Sequence, residues 1–344
     1  MHACGQLLEW MSAAPAAVWQ QRAPPVWSVP MAVCGALWLL LPRGFPARWL
    51  GAVCLLPLFL APRPELAEGE LRLTVLDVGQ GLAVVAQTRR HALLYDTGPA
   101  FGPQADSGNR IVVPFLRAAG LARLDGLVVS HDDIDHTGGA LSVVQALPVD
   151  WLLTSLPDMD PLPLMTERAF RCFAGQHWQW DGVRFEVLYP ARASYDDASL
   201  KDNDRSCVVR IEAQGGSVLL PADIEQRGES ALVQAVPAAL RATVLVAPHQ
   251  GSRTSSSRDF VERVSPDVVI FPVGYRNRFG HPHETVVDRY RALGSRMYRT
   301  DRDGALTVTI RAAGSLRVAP YRGAYRRYWQ TPIVGDAPPD PEEF

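Results

Sequence analysis

Two long apolar runs open the chain, and shorter alternating or wholly apolar runs follow. Val26–Leu41 (VWSVPMAVCGALWLLL) and Trp49–Ala61 (WLGAVCLLPLFLA) carry no formal charge, and a turn containing Arg43 and Arg48 joins them. Each run falls a little short of the ~20 residues that a bilayer helix needs. Their lack of charge and the Trp near their ends predict a membrane hairpin, with a buried helical hairpin as the alternative. The Arg pair would face the cytoplasm, which places the chain after Arg63 on the outer side of an inner or cytoplasmic membrane. No basic start precedes the first run, so it does not read as a cleavable signal peptide.

From Glu70 onward the pattern changes. Alternating or fully apolar stretches at Leu71–Leu76, Leu82–Gln87, Ala92–Tyr95, Gly126–Val129, Trp151–Thr154 and Val183–Leu188 predict strands. So do Ser206–Glu212, Ser217–Leu220, Thr243–Ala247, Val268–Val273 and Leu306–Arg311. Helical spacing falls at Ile111–Ala119, Gly139–Ala146, 225–235, 257–264 and 283–293. Strands followed by mixed strands and helices, in two halves, predict a layered α/β body with two sheets. Ala61–Gly69 (APRPELAEG) reads as a linker, and the end, from IVGDAPPDPEEF, as a frayed tail. The expected division is a hydrophobic hairpin at 1–62, a linker at 63–69, one domain at 70–325 and a tail at 326–344.

Composition sharpens this division. Over all 344 residues the chain is 47% hydrophobic and 20% charged with a net charge of −2, which excludes collagen-like and wholly disordered chains. The average conceals a split: residues 1–60 hold four charged side chains (Glu9, Arg22, Arg43, Arg48) but five of the nine Trp. A net charge near zero offers no general electrostatic attraction to nucleic acid. The five Cys lack CxxC spacing and are odd in number, which argues against a zinc ribbon or a disulfide framework. Cys172 and Cys207 are therefore read as reduced, a bridge in an oxidising compartment being the alternative.

The densest chemistry is Ser130-His131-Asp132-Asp133-Ile134-Asp135-His136-Thr137-Gly138-Gly139, directly after the apolar strand Leu127–Val129. His131, Asp133, Asp135 and His136 place two imidazoles and two carboxylates within six residues, enough to hold two divalent ions close together. Three further pieces also follow apolar strands: Asp223 in LLPAD, His249 in APHQGS and Asp96 in LLYDTG. A fourth is His281 in NRFGHPH, with His283 beside it. Asp223 would bridge two ions, and Asp96 would orient their ligands.

Taken in this order, the motifs resemble the metallo-β-lactamase fold superfamily. The HxDxDH form, with Asp77-Val78-Gly79-Gln80-Gly81 upstream and HxGS downstream, resembles ComEC-type DNA-internalisation competence proteins specifically. The hydrophobic start (LWLLLPRGFPARWLG) shares the resemblance, which covers about residues 5–320. It implies an αββα sandwich, in the α/β class, with the site between its sheets. It also implies a nuclease domain that degrades one strand of incoming DNA outside the cytoplasm, with DNA, the membrane, the competence channel and other uptake proteins as partners. The family's upstream channel is missing, so the chain is expected to be a fragment or a truncated product.

The sequence departs from the family pattern in three places. Leu82 follows DVGQG where an acidic residue is usual, and His249-Gln250 stands where the family writes two His. The stretch expected to supply another His reads Lys201-Asp202-Asn203-Asp204-Arg205-Ser206, and His177 nearby sits in a poor context. The first ion would then rest on His131, Asp133 and a later residue such as His281, with help from Asn203. Asp135, His136 and His249 would hold the second.

The expected cofactors are therefore two divalent ions about 4 Å apart that activate water and clamp a phosphodiester. Asp133 in place of a His makes the site richer in oxygen and favours Mn²⁺ alongside Zn²⁺, with Mg²⁺ as a further option. Asp135, His281 and Asp96 are the candidate catalytic groups, and His281 or His283 could donate a proton to the leaving oxygen. Asn203, Ser252, Arg253, Thr254, Ser255, Arg276 and Arg278 are candidate contacts to DNA phosphates. Two rival readings are a hydrolase of a lactam, lactone or small phosphodiester, and a DNA-binding module without turnover.

Overall fold

The computed structural model describes residues 5–6, 10–11, 23–60, 65–157, 159–325 and 327. The tail expected at 326–344 lies outside the described residues apart from Arg327. The chain divides into two compact units, residues 1–64 with 114–122 and residues 65–113 with 123–344.

In the first unit, α1 (Ser28–Leu39) and α2 (Leu50–Leu60) form a helical hairpin. Gly35 and Gly51 face each other, and a Cβ on either would press into the other's carbonyl oxygen. The absence of side chains there lets the two backbones approach closely. The helices have 12 and 11 residues, which makes each roughly 17–18 Å long against a bilayer core of about 30 Å. Among the described residues no helix is long and apolar enough to cross a membrane. The transmembrane hairpin expected from hydropathy is therefore not seen as spanning helices, because the turn from Leu40 to Trp49 interrupts the apolar stretch.

The second unit is built on two sheets. One has eight strands in the order β17-β16-β1-β2-β3-β6-β7-β8. These are β1 (Leu71–Val75), β2 (Val84–Gln87), β3 (Ala92–Tyr95), β6 (Gly126–Val129), β7 (Leu152–Thr154), β8 (Ala169–Arg171), β16 (Leu306–Ile310) and β17 (Leu316–Pro320). The other has seven strands in the order β15-β14-β13-β12-β11-β10-β9. These are β9 (His177–Trp180), β10 (Val183–Tyr189), β11 (Val208–Ala213), β12 (Gly216–Leu220), β13 (Val244–Val246), β14 (Val268–Phe271) and β15 (Arg296–Arg299). A small separate hairpin joins β4 (Ala100–Gly102) and β5 (Ala105–Asp106).

Each sheet is antiparallel at one end and parallel at the other. β3, β6, β7 and β8 pair in parallel, as do β12, β13, β14 and β15. One apolar core fills the space between the sheets, with Leu71, Leu73 and Val128 from the first and Val209, Val218 and Ile270 from the second. All four residues of β3 and of β6 are buried. Because strand side chains alternate between faces, both faces of these strands must be covered. A second core lies on the outer face of the seven-stranded sheet. There α3 (Gln226–Ala235), α4 (Arg258–Val264) and α5 (Glu284–Ala292) contribute Leu232, Phe260, Val261, Val286 and Tyr290.

In the two large sheets, the four strands that sequence periodicity misses are β8, β9, β15 and β17, which are their edges; the small β4–β5 hairpin is missed as well. β9 shows alternating exposed and intermediate positions, and β17 has no buried residue. An edge strand is only partly covered, so it lacks the apolar run that marks an interior one. The predicted helix at Ile111–Ala119 begins earlier, as a π-helical turn at Gly108–Val112 that runs into a helix at Val113–Ala118.

Residues 65–69 are not a free linker. Leu66 is buried, Gly69 N–H donates to Asp181 O at 2.7 Å, and Gly69 O accepts from Gln214 N–H at 3.0 Å. The cysteine expectation is also corrected. Cys172 and Cys207, both fully buried, form a disulfide with their Cα atoms 6.0 Å apart, joining the margin of the first sheet to the second. Sequence spacing carries no sign of this because the pair meets only when the two sheets stack.

Candidate metal centre

Every candidate site residue in the second unit except Asn203 lies just beyond the C-terminal end of a strand. Asp96 follows β3, the 130–136 loop follows β6, Asp223 follows β12, His249 follows β13 and the 274–283 loop follows β14. The DVGQG segment grips the 130–136 loop from one side. Leu82 N–H donates to Asp135 O at 3.1 Å, and a Cβ on Gly81, whose φ is +135°, would collide with the same carbonyl. Thr97 holds the other end, its N–H and Oγ1 both 2.8 Å from His136 O. Leu82 itself is buried in the core between the sheets, so its side chain belongs to the packing and not to the site.

Inside this frame His131, His136 and Asp223 bring three potential ligand atoms within 4.8 Å of one another, all on buried residues. His136 Nε2 is 3.1 Å from Asp223 Oδ1. His131 Nε2 is a buried atom without a hydrogen-bond partner, 3.3 Å from Asp133 Oδ2. The hydrogen-bond network explains which nitrogen each imidazole offers. Asp96, fully buried, accepts from Ser130 N–H at 2.7 Å, from Ser130 Oγ at 2.7 Å and from His136 Nδ1 at 2.8 Å. Ser130 Oγ spends its hydrogen on Asp96, so it accepts from His131 Nδ1 at 2.9 Å. With Nδ1 of each ring taken up in this way, Nε2 is the nitrogen left on the side that faces Asp223.

Two shifted groups reflect the same closeness. Burial alone would raise the Asp223 carboxyl, but the charge and hydrogen bond of His136 outweigh it and hold the carboxyl far below its ordinary range. Burial would lower His136, but Asp223 and Asp96 outweigh it and raise the imidazole well above its usual value. Two buried imidazole nitrogens and a buried carboxylate, with one lone pair unused, fit a divalent cation.

Among the described residues this is the one group of three His, Cys, Asp or Glu side chains close enough to hold an ion. Asp133, Asp135 and His249, also expected to serve the two ion positions, stand beside this cluster. Asp133 is adjacent, 46% exposed, and its carboxyl is held low first by His131. Asp135 Oδ2 is 4.0 Å from His136 Nε2 and accepts from Gln250 Nε2 at 2.8 Å. His249 Nε2 is 3.6 Å from Asp223 Oδ2. His281 stands outside the group, its ring centroid 5.9 Å from that of His249, and burial followed by the charge of His249 pushes it below its ordinary value.

Several expected roles are corrected. Asp96 is fully buried with its carboxylate on Ser130 and His136, which fits the orienting role expected for it and not the catalytic one. His283 caps α5, accepting from Thr285 N–H, because it is the residue before the helix. Ser255 is fully buried and donates to Ile224 O at 2.8 Å, so it is closed to phosphate. Ser252 Oγ is 3.1 Å from Thr254 Oγ1 within its own turn. Asn203 O accepts from Ser206 N–H in a 3-10 turn, and it is Ser206 Oγ that receives the Asp223 N–H, at 3.3 Å. His177 is exposed on the edge strand β9. Arg253 lines a neighbouring cleft with Lys201, Glu225 and Thr254.

Arg276 and Arg278 lie in an exposed loop after β14. Each stands beside an exposed aromatic ring, Arg276 at 5.2 Å from the centroid of Tyr275 and Arg278 at 4.9 Å from that of Phe279. Asn277 braces this loop, donating to Gly274 O at 3.2 Å and His281 O at 2.7 Å and accepting from His281 N–H at 2.9 Å.

Sequence reasoning passed over Gln80, Ser130, Ser206 and Gln250 as working parts. The conspicuous DVGQG motif was the available signal for Gln80, but the partners of its side chain come from the loop after β14 and the HQGS turn.

A two-sheet α/β sandwich with buried His and Asp donors gathered at the strand ends defines a metal-dependent hydrolase fold. The chain belongs to the metallo-beta-lactamase superfamily, whose family model matches residues 76–274. Its sequence is similar to those of ComEC-type competence proteins. It is 41% identical over 310 residues to competence protein ComA of Neisseria gonorrhoeae, covering 90% of this chain and 42% of that one. It is 33% identical over 332 residues to the uncharacterized protein YcaI of Escherichia coli, covering 94% and 40%. It is 32% identical over 249 residues to recombination protein 2 of Haemophilus influenzae, covering 72% and 30%. The chain thus spans less than half the length of these relatives.

Proposed function

We propose that this chain is a metal-dependent phosphodiesterase that cleaves DNA, acting on one strand during uptake. The observation that carries this reading is the loop from Tyr275 to His281. It presents two arginine–aromatic pairs to solvent and ends at His281, whose Nδ1 is 3.5 Å from Gln80 Nε2 at the edge of the site. Exposed rings stack on bases of any sequence, and arginines meet the phosphates between them. Relatives named as competence and recombination proteins support the same substrate.

His131, His136 and Asp223 would hold the divalent ion, Mn²⁺ or Zn²⁺, with Asp133 beside them. A bound divalent ion would lower the pKa of water and neutralise charge on phosphate oxygens. Asp96 and Ser130 keep the two imidazoles in the tautomer that can bind it. Arg276 and Arg278 would hold the strand against the loop. A net charge of −2 leaves strand binding to these local arginines and to the ion.

The same reading places the hydrolase unit outside the cytoplasm, with the hydrophobic hairpin at the membrane and the uptake machinery as its partner. The buried Cys172–Cys207 bridge supports an oxidising compartment. Exposed Trp27, Leu37, Leu40, Trp49 and Phe59 on or beside α1 and α2 support an apolar surrounding for the hairpin.

The test is cleavage of labelled single-stranded DNA by the full chain with added Mn²⁺ or Zn²⁺, beside Asp223→Asn and a nitrocefin control. Cleavage that requires metal and is lost in Asp223→Asn is the expected result. Stoichiometric DNA binding without turnover, or nitrocefin hydrolysis without DNA cleavage, would overturn it.

A further inference from the structure

The surroundings of Gln250 do not fit a second ion. Gln250 is 2% exposed, and its Nε2 lies 2.8 Å from Asp135 Oδ2, 3.4 Å from His136 Nε2 and 3.5 Å from Asp223 Oδ2. These are the groups that a second cation would need. A ligand at residue 250 would have to offer a lone pair, and the amide nitrogen has none to give.

The direction of the amide is set by a relay. Gly274 N–H donates to Gln80 Oε1 at 3.1 Å, which turns Gln80 Nε2 toward Gln250. Gln80 Nε2 then donates to Gln250 Oε1 in a short contact. With its oxygen engaged by Gln80, Gln250 can only point N–H groups at the carboxylates. Turning the amide over would set Gln250 Oε1 against Asp135 and leave two amide nitrogens facing each other.

The backbone holds residue 250 in this pose. His249 and Gln250 have φ of +48° and +55°, a left-handed conformation that is unfavourable for a non-glycine residue. It is retained where His249 N–H reaches Ala222 O at 2.9 Å and Ser252 N–H reaches His249 O at 2.8 Å. Both side chains are thereby turned into the site.

We infer that this chain holds a single divalent ion, on His131, His136 and Asp223, and that the Gln250 amide replaces the second. The Gln250 N–H groups supply the positive edge that Asp135 requires, and Gln80 is the positioning residue that keeps them there. This rests on the metal-dependent reading of the site but not on its substrate.

The experiment is metal stoichiometry on the full chain. Metal-stripped protein is dialysed against a Mn²⁺ series, bound Mn²⁺ per chain is measured by elemental analysis, and the bound ion is examined by electron paramagnetic resonance. The expected result is one Mn²⁺ per chain with an uncoupled spectrum, and two per chain with a spin-coupled spectrum in Gln250→His. Should that variant fail to fold, Gln80→Glu replaces the donor to Gln250 with an acceptor. It should free the amide to turn over and admit a second, weaker Mn²⁺. Two ions in the unaltered chain, none at all, or one ion persisting in Gln250→His or Gln80→Glu would overturn the inference. None of these readouts uses DNA, so an inactive protein that binds one Mn²⁺ would defeat the nuclease reading and leave this one standing.

Discussion

The Asp96 carboxylate accepts the Nδ1 proton of His136 at 2.8 Å, with both side chains fully buried. Asp96 has a φ of +57° and takes its position directly after β3. Through Ser130 it also sets the tautomer of His131. One buried carboxylate thus decides which nitrogen the two imidazoles of the cluster present.

Asp96→Asn preserves shape and tolerates the backbone conformation but introduces a donor where an acceptor is needed. Metal affinity should fall about 10- to 100-fold, measured by competition with a chromophoric chelator. The far-ultraviolet dichroism should be unchanged. An affinity equal to that of the unaltered chain would remove the positioning role.

The Cys172–Cys207 bridge closes a loop between residues 35 apart in sequence. Cys207 N–H also donates to Ser130 O at 2.9 Å, directly before His131. Replacing both cysteines by Ala, or reducing the bridge, should lower stability by about 2–4 kcal/mol, read as a drop in the urea midpoint. The same change should weaken metal retention. An unchanged midpoint under reducing conditions would contradict this.

Asp181 sits in the turn between β9 and β10 with its side chain buried. It accepts from Thr88 Oγ1 at 2.7 Å, Arg90 N–H at 2.7 Å and Arg90 Nε at 3.0 Å, and lies 3.0 Å from His91 Nδ1. Burial would raise its carboxyl, but His91 and these donors together hold it far below the usual range. A lowered folded pKa means that the carboxylate adds stability above its unfolded value of about 3.9 and loses it as pH falls below that. Asp181→Asn should cost about 1–3 kcal/mol at pH 7. The gap from the unaltered chain should close below about pH 4, as followed by denaturant unfolding across pH.

The loop arginines and rings make separable contributions. Phe279→Ala should weaken single-stranded DNA binding by about 1–3 kcal/mol with little effect on salt dependence. Arg278→Ala should reduce the slope of log affinity against log salt by about 0.7. Fluorescence anisotropy at several salt concentrations measures both. Equal salt slopes for the two variants would mean that the loop does not track a strand.

Much of the interior was legible beforehand because it repeats a simple rule. Strands buried on both faces, such as β3 and β6, write themselves as unbroken apolar runs. The HxDxDH cluster and the lone Asp223 and His249 each stand where such a run ends. The edges β8, β9, β15 and β17 were not legible, since a half-covered strand carries no distinctive run. The hairpin differs: its hydropathy predicts spanning helices, while among the described residues the turn from Leu40 to Trp49 leaves each helix about 17–18 Å long.

The sequence by itself determined the two-layer α/β class, the separation of an apolar start from a charged body, and the residues that can bind a metal. Those follow from composition and local periodicity, which the chain carries at every position. Only the tertiary structure decided what those residues do. It paired Cys172 with Cys207, buried Ser255, turned His283 into a helix cap and set Gln250 between Asp135 and Asp223. Each of these outcomes depends on groups distant in sequence that meet when the sheets stack, and hydrogen-bond direction there is set by whichever partner arrives from the other strand.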